Sequence, residues 1–165
     1  MEIKDVTNVL FVKENKVLLG LKKRGFGAQK YNGFGGKLKR GETIEQAALR
    51  EAKEEVGLDM VEYYKAAEIE FGESYPLRMH LFVCTKWEGE VLESEEMLPS
   101  WFYFDNIPFE EMWDDDKYWL ELALSGKKFK ANFIFENSDD HDGTALNNVV
   151  SYSIKEIGRA SCRER

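Results

Sequence analysis

Glu51, Glu54 and Glu55 stand at i, i+3 and i+4 in the run Arg50-Glu51-Ala52-Lys53-Glu54-Glu55-Val56-Gly57-Leu58. On a helix that spacing projects all three carboxylates from one face, where like charges cost about 0.2–0.5 kcal/mol per pair. Just upstream, Gly36-Lys37-Leu38-Lys39-Arg40-Gly41-Glu42 closes a glycine-rich stretch beginning at Gly25, with Phe26, Tyr31 and Phe34 interleaved. Hard divalent cations take oxygen ligands, and Mg²⁺ commonly combines one or two carboxylates with substrate phosphates. Carboxylates beside a glycine-rich turn therefore make a reasonable site for Mg²⁺ and a pyrophosphate. The competing account is a solvated helix face paired to Arg50 and Lys53. For an isolated E-x-x-E-E that account is the better one. Other glycine motifs do not apply. Gly33-Phe34-Gly35-Gly36-Lys37 lacks the spacing and the following Ser or Thr of a P-loop, and no G-x-G-x-x-G opens a helix.

The elements that must position these residues can be read from pattern. Val6–Val12 and Val17–Leu21 are β-branched and aliphatic runs around Lys13-Glu14-Asn15-Lys16, which predicts a hairpin. Thr43-Ile44-Glu45-Gln46 forms a capping box, so the glutamate helix should begin there. Ile44, Ala47, Ala48, Ala52 and Val56 give it an apolar stripe, and Gly57 is its natural stop. Further strands are expected near Tyr64–Phe71, Leu77–Lys86, Ser100–Phe104, Lys128–Phe135 and Ala145–Ile154, and a second helix over Asp114–Leu124. Strands mixed with two helices predict an α/β or α+β domain, a mixed β-sheet sandwiched between helices.

The chain of 165 residues fits one domain able to bury a core without disulfides. Its formal charge of −8 argues against passive binding to a nucleic-acid polymer or an anionic membrane. An acidic protein can still bind phosphates through a divalent cation. Cys84 and Cys162 form no metal-spaced pair, which predicts a reduced, cytoplasmic protein. The start Met1-Glu2-Ile3-Lys4-Asp5 has no signal-peptide pattern, and no apolar run approaches membrane-spanning length. Residues 156–165 resemble the in-frame translation of a sequencing-adapter oligonucleotide or, more plainly, a frayed polar end. The expected domain therefore spans residues 1–155.

The whole pattern decides between the two accounts of the glutamates. Gly36, Glu42, Arg50, Glu51, Glu54, Glu55 and Gly57 fill the seven fixed positions of the Nudix box, G-x5-E-x7-R-E-U-x-E-E-x-G-U with U aliphatic. At ordinary residue frequencies a chance match anywhere in the chain is on the order of 10⁻⁶. The chain is thus identified as a resemblance to the Nudix hydrolases, with Ala52 where a bulkier aliphatic residue is usual. That resemblance implies Mg²⁺, or Mn²⁺ as a substitute, held by Glu51, Glu54 and Glu55. Glu55 would polarise the attacking water, Arg50 would orient the glutamates and Glu42 would fix the loop-to-helix turn.

The likeness extends to the animal MutT homologues, which hydrolyse oxidised purine nucleoside triphosphates. It runs through Leu18–Ala28, Asn32–Lys37, Glu95-Glu96-Met97 and Ile107–Trp119. It implies that Asn32 and the Asp115/Asp116 pair hydrogen-bond the purine edge, with Asp114 beside them, while Trp113 stacks on the base and Phe26 lines the pocket. Thr7 and Lys22 would contact the nucleoside. The backbone of Phe34, Gly35, Gly36 and Lys37 would lie along substrate, with Gly35 also at the metal, and Glu96 would be a further metal ligand. A buried carboxyl beside a second one tends to stay protonated, so such a pair offers one donor and one acceptor to a base. Taken alone, Trp113-Asp114-Asp115-Asp116 would be a helix N-terminus and Asn32 a turn residue. Asp114 stands where the family has proline, Tyr31 where it has tryptophan, and Asn8 where it has an aliphatic residue near the pocket. The expected function is hydrolysis of 8-oxo-dGTP or 2-hydroxy-dATP to monophosphate and pyrophosphate by a monomer, protecting the nucleotide pool and so preventing DNA damage. A Nudix enzyme for other NTPs, ADP-ribose or dinucleoside polyphosphates, or a non-catalytic nucleotide-binding module, is the alternative.

Overall fold

The computed structural model describes residues 2–72, 76–136 and 148–164; His141 and the expected strand start at Ala145 lie outside them. Strands β1 (Lys4–Lys13) and β2 (Lys16–Lys22) form the expected hairpin. Glu14 and Asn15 both take positive φ, 52° and 63°, as a two-residue turn matched to the strand twist requires. Then come β3 (Tyr31–Asn32), α1 (Ile44–Val56), β4 (Asp59–Phe71), β5 (Leu77–Glu88), β6 (Met97–Tyr103), a single 3₁₀ turn at Phe109–Glu111, α2 (Asp116–Leu124), β7 (Lys127–Phe135) and β8 (Val149–Arg159).

Among the described residues these strands make one eight-stranded mixed sheet in the order β3-β2-β1-β5-β4-β7-β8, with β6 on the other edge of β2. The β1–β5 and β4–β7 pairs are parallel and the others antiparallel. Successive side chains alternate faces, which gives the sheet two cores. Leu10, Val17, Leu19, Leu81 and Val83 pack with Trp119, Leu120 and Ala123 of α2. Val9, Phe11, Leu18, Phe82 and Cys84 pack with Ala48, Ala52 and Val56 of α1. The expected layering of a mixed sheet between helices is therefore the observed one. Burying each large apolar side chain contributes roughly 1.5–3 kcal/mol to it.

The hairpin strands do not stay paired along their length. Their register covers Phe11↔Leu18 to Lys13↔Lys16, and beyond that residues 31–37 enter between them. Gly20 and Leu21 of β2 pair with Asn32 and Tyr31, while Val9 and Val6 of β1 bridge to Phe34 and Lys37. Gly33 and Gly35 permit this approach, because a Cβ on Gly33 would strike the Asn8 side chain and one on Gly35 the Thr7 carbonyl. The stretch expected to be irregular thus contains a short strand wedged into the sheet.

At the other end, β8 runs through the boundary expected at Lys155. Glu156 pairs with Phe129 and Arg159 with Lys127, and Ala160 is only 2% exposed. The frayed end expected from residue 156 is not what these residues form. The outer edge of β7 offers unpaired backbone groups, and an extended polar segment satisfies them whatever its side chains.

Candidate active site

The capping box of α1 forms as its sequence requires. Gln46 N donates to Thr43 Oγ1 at 3.1 Å, and Thr43 N donates to Gln46 Oε1 at 2.9 Å. Gly57 ends the helix with φ 79°. Between these caps Arg50 gathers the acidic residues. Its Nε donates to both Glu42 oxygens at 3.0 Å, and its Nη1 reaches Glu51 Oε1 at 2.9 Å and Glu54 Oε2 at 3.2 Å. Its Nη2 donates to the Lys37 carbonyl at 3.1 Å. One guanidinium therefore ties the loop to the helix, as the planar fork of arginine allows. Its hydrogen bonds to Glu42 and Glu51 hold it protonated more firmly than usual. Lys53 takes no part; it pairs with Asp59 at 2.9 Å, so the solvated-face account holds only for Arg50.

Glu55 turns away from this network. It is 8% exposed, and its Oε1 accepts the Gly35 N–H at 2.9 Å. Burial, and next the charge of Glu51, push its carboxyl up to about 8, against the Gly35 hydrogen bond and the charge of Lys22. The charge of Lys22 thus reaches Glu55. Glu51 Oε1 would lie 2.7 Å from a Cβ on Gly36, so the glycine gives the carboxylate its place against the loop. Thr7, buried in β1, sets its Oγ1 3.4 Å from both Gly36 N and Gly36 O.

The donor chemistry at this end fits a hard divalent cation: oxygen only, with two carboxylates pressed together and one driven towards protonation by burial and repulsion. Three ligands do not yet converge. Among the described residues no three His, Cys, Asp or Glu side chains gather as a metal site. Arg50 holds Glu51 and Glu54, and Glu96 is held by Arg24 at 2.9 and 3.1 Å. The structure therefore brings Glu51 and Glu55 together against Gly36 and Gly35, ties Glu54 to them through Arg50, and leaves Glu96 apart.

A second buried acidic group lies at the start of α2. Asp115 and Asp116 are 4% and 6% exposed. Asp115 is the N-cap residue but makes no side-chain cap bond; its Oδ2 accepts the Trp119 Nε1–H at 2.7 Å. Burial raises both carboxyls, Asp115 to about 6 and Asp116 well above the usual range, where the Asp115 charge adds to the effect. A hydrogen bond links the pair, so one neutral carboxylic acid and one carboxylate face each other at neutral pH. An ordinary helix N-terminus would have its carboxylates exposed and ionised.

Asp114 departs from its expected place with the base-reading residues. It accepts the Val149 N–H at 2.7 Å and pairs with Lys117 at 2.8 Å, tying α2 to β8. Asp114 is half-buried, whereas Asp115 and Asp116 turn inward. Trp113 stacks on Phe26 with ring centroids 5.2 Å apart and planes at 26°, and Lys30 Nζ lies 5.2 Å from its ring. Asn32 Nδ2 donates to the Lys30 carbonyl at 3.1 Å. Pattern reading missed Trp119 and Lys30. The i, i+4 spacing of Asp115 and Trp119 was a signal for the first; Lys30, whose charge reaches Asp116, had none.

A split hairpin feeding a glycine loop onto a glutamate helix, with Arg50 as hub, defines a class, and residues 1–123 match the NUDIX domain. The chain belongs to the Nudix family of pyrophosphohydrolases. It is 50% identical over 137 residues to an oxidized purine nucleoside triphosphate hydrolase of Danio rerio, spanning 81% of this chain and 88% of that relative. It is 44% identical over 154 residues to the protein of that name from Mus musculus, spanning 92% and 94%. In fold it resembles the crystal structure of a MutT protein from Bacillus halodurans, with TM-score 0.78, 24% identity and coverage of 92% and 97%. No helix among the described residues is long and apolar enough to cross a membrane.

Proposed function

We propose that this enzyme hydrolyses oxidised purine nucleoside triphosphates, 8-oxo-dGTP or 2-hydroxy-dATP, to the monophosphate and pyrophosphate. The observation that carries this reading is the Asp115/Asp116 pair, 4% and 6% exposed, with burial raising both carboxyls, next in the chain to Trp113 of the Phe26 stack. Such a pair presents one donor and one acceptor. A base that mismatches them leaves buried polar groups unpaired, which can discriminate by several orders of magnitude. Asn32, Trp113 and Phe26 would complete the base site. Its relatives of 44–50% identity carry the name of this activity.

At the other end, Glu51, Glu54 and Glu55 would hold Mg²⁺, or Mn²⁺ in its place, with Gly35 beside them and Glu96 joining once released by Arg24. Bound there, the ion would neutralise phosphate charge and lower the pKa of a coordinated water. Thr7 and Lys22 would contact the nucleoside, and the backbone of residues 34–37 would lie along the substrate and hold its phosphates for in-line attack. Glu55 would accept the water proton as the water oxygen bonds to phosphorus and the phosphoanhydride oxygen leaves. Arg50 would position Glu51 and Glu54 throughout. The reading carries with it a cytoplasmic monomer acting on free nucleotides, in keeping with the charge of −8.

The test is Mg²⁺-dependent pyrophosphate release from 8-oxo-dGTP, 2-hydroxy-dATP, dGTP and dATP at matched low concentration. Strong preference for an oxidised nucleotide is expected. Equal, feeble turnover of all four would overturn the substrate reading and direct attention to ADP-ribose and dinucleoside polyphosphates.

A further inference from the structure

Asn8 is a polar residue on an apolar strand, and its amide is badly provided for. Its Oδ1 is buried with no hydrogen-bond partner among the described residues. Among the described residues its Nδ2 finds only the Met79 sulfur at 3.4 Å, a weak acceptor. A buried polar group without a partner destabilises the folded state, so one that persists calls for a reason.

Its position supplies one. Along β1, Val9 and Phe11 face α1, whereas Asn8 and Leu10 face the α2 side. Met79 packs into that second core with Leu10 and Trp119, the residue that holds Asp115. The Asn8 oxygen lies against Gly33, whose missing Cβ keeps any side chain off it. Gly33 follows Asn32, which is bonded to the Lys30 carbonyl, and the charge of Lys30 reaches Asp116. Asn8 and the aspartate pair therefore occupy one face of the sheet around one loop.

Oxidation changes a purine in a specific way. A ring C–H beside a bare nitrogen becomes a C=O beside an N–H, at C8 and N7 in 8-oxoguanine or at C2 and N1 in 2-hydroxyadenine in its keto form. The normal base offers a lone pair where the oxidised one offers a donor. We propose that the Asn8 side-chain carbonyl is a further specificity determinant, accepting the lactam N–H by which an oxidised purine differs from the normal base. This rests on the oxidised-purine reading above and adds a residue to it. A normal purine would set its ring lone pair against the amide oxygen, leaving both unpaired.

The experiment measures kcat/KM for 8-oxo-dGTP, 2-hydroxy-dATP, dGTP and dATP, and the Tm of the free protein, in wild type and Asn8→Leu, with Asn8→Ala if the leucine disturbs folding. Leucine matches asparagine in branching and heavy-atom count but removes the orphaned amide. Its free-protein Tm should therefore stay level or rise by about 2–4 °C. The preference for one or both oxidised nucleotides over their normal counterparts should fall by roughly tenfold, the worth of one hydrogen bond. Loss of preference in a variant at least as stable as wild type is not expected of a merely structural residue. If all four kcat/KM values move by one common factor, or none moves, the proposal is overturned. Absence of any oxidised-base preference in wild type would instead remove the substrate reading itself, and this inference with it.

Discussion

Glu55 and the Asp115/Asp116 pair are both buried acids, yet they are asked to do opposite things. In the proposed reaction Glu55 must ionise to accept a proton from water, and burial together with Glu51 resists that, holding it at about 8. Glu55→Gln keeps the shape and the Gly35 hydrogen bond but removes the base. Its kcat should fall by about 10²–10⁴ with KM little changed. A near-wild-type kcat in steady-state assays would remove Glu55 from the chemistry. The aspartates must instead share one proton. Asp116→Asn leaves a neutral donor beside the Asp115 carboxylate, so oxidised-over-normal preference should change by less than about tenfold, a hydrogen bond's worth. Asp115→Asn keeps a single acceptor oxygen, enough for the Trp119 N–H or for Asp116 but not for both, and removes the only ionised member, so it should cost more preference and more stability. Equal effects of the two variants on the four-nucleotide panel would show that the pair is not divided in this way.

The wedge formed by residues 31–37 is the element that joins these two ends, since it touches Thr7 and Glu55 on one side and carries Asn32 on the other. Gly35→Ala would drive a Cβ into the Thr7 carbonyl and displace the N–H that meets Glu55. Overpacking of this kind costs about 1–3 kcal/mol, so Tm should drop by several degrees, and kcat should fall with it. Gly158→Ala, with open space around it and no positive φ, is the control and should stay within about 0.5 kcal/mol of wild type in thermal melts. Parity between the two variants would mean that the wedge tolerates displacement. How much of this was legible follows from the physics of each element. The caps of α1 are local, so Thr43, Gln46 and Gly57 could be read directly. A two-residue strand such as β3 has no period to detect. The start of β4 was hidden because irregular pairing between Met60 and Tyr63 and between Lys65 and Ala67 breaks its alternation. The Nudix box pointed to the residues proposed for the chemistry, but not that Glu96 rests on Arg24 or that Asp114 is bonded to β8, because those are tertiary choices between charged neighbours.

At the scale of the whole molecule the buried acids set how stability varies with pH. Glu55, Asp115 and Asp116 all hold protons in the folded state that the unfolded chain gives up near pH 4. Between that pH and the folded value, the folded state binds more protons than the unfolded one, so unfolding free energy falls as pH rises. The contribution is complete below about pH 4 and is lost progressively towards pH 8, the upper half of the loss belonging mainly to Glu55 together with Asp116. Glu68 works in the other direction: its bond to Lys65 lowers it, so its stabilisation is present above about pH 4.5 and lost in acid. In EDTA the Tm should therefore peak near pH 5 and decline to pH 8. Glu55→Gln should remove one proton's worth of the decline from about pH 4.5 to pH 8, most visibly in its upper part, where Asp115 has already ionised and Asp116 alone remains. Saturating Mg²⁺ should flatten the same upper part in wild type, because a bound cation favours the ionised carboxylate, and should do far less in the glutamine variant. Thermal melts from pH 4.5 to 9 with and without Mg²⁺ separate these contributions. A wild-type Tm that is level from pH 5 to 8 in EDTA would mean that Glu55 ionises freely in the folded protein, and that its burial does not prepare it for a cation.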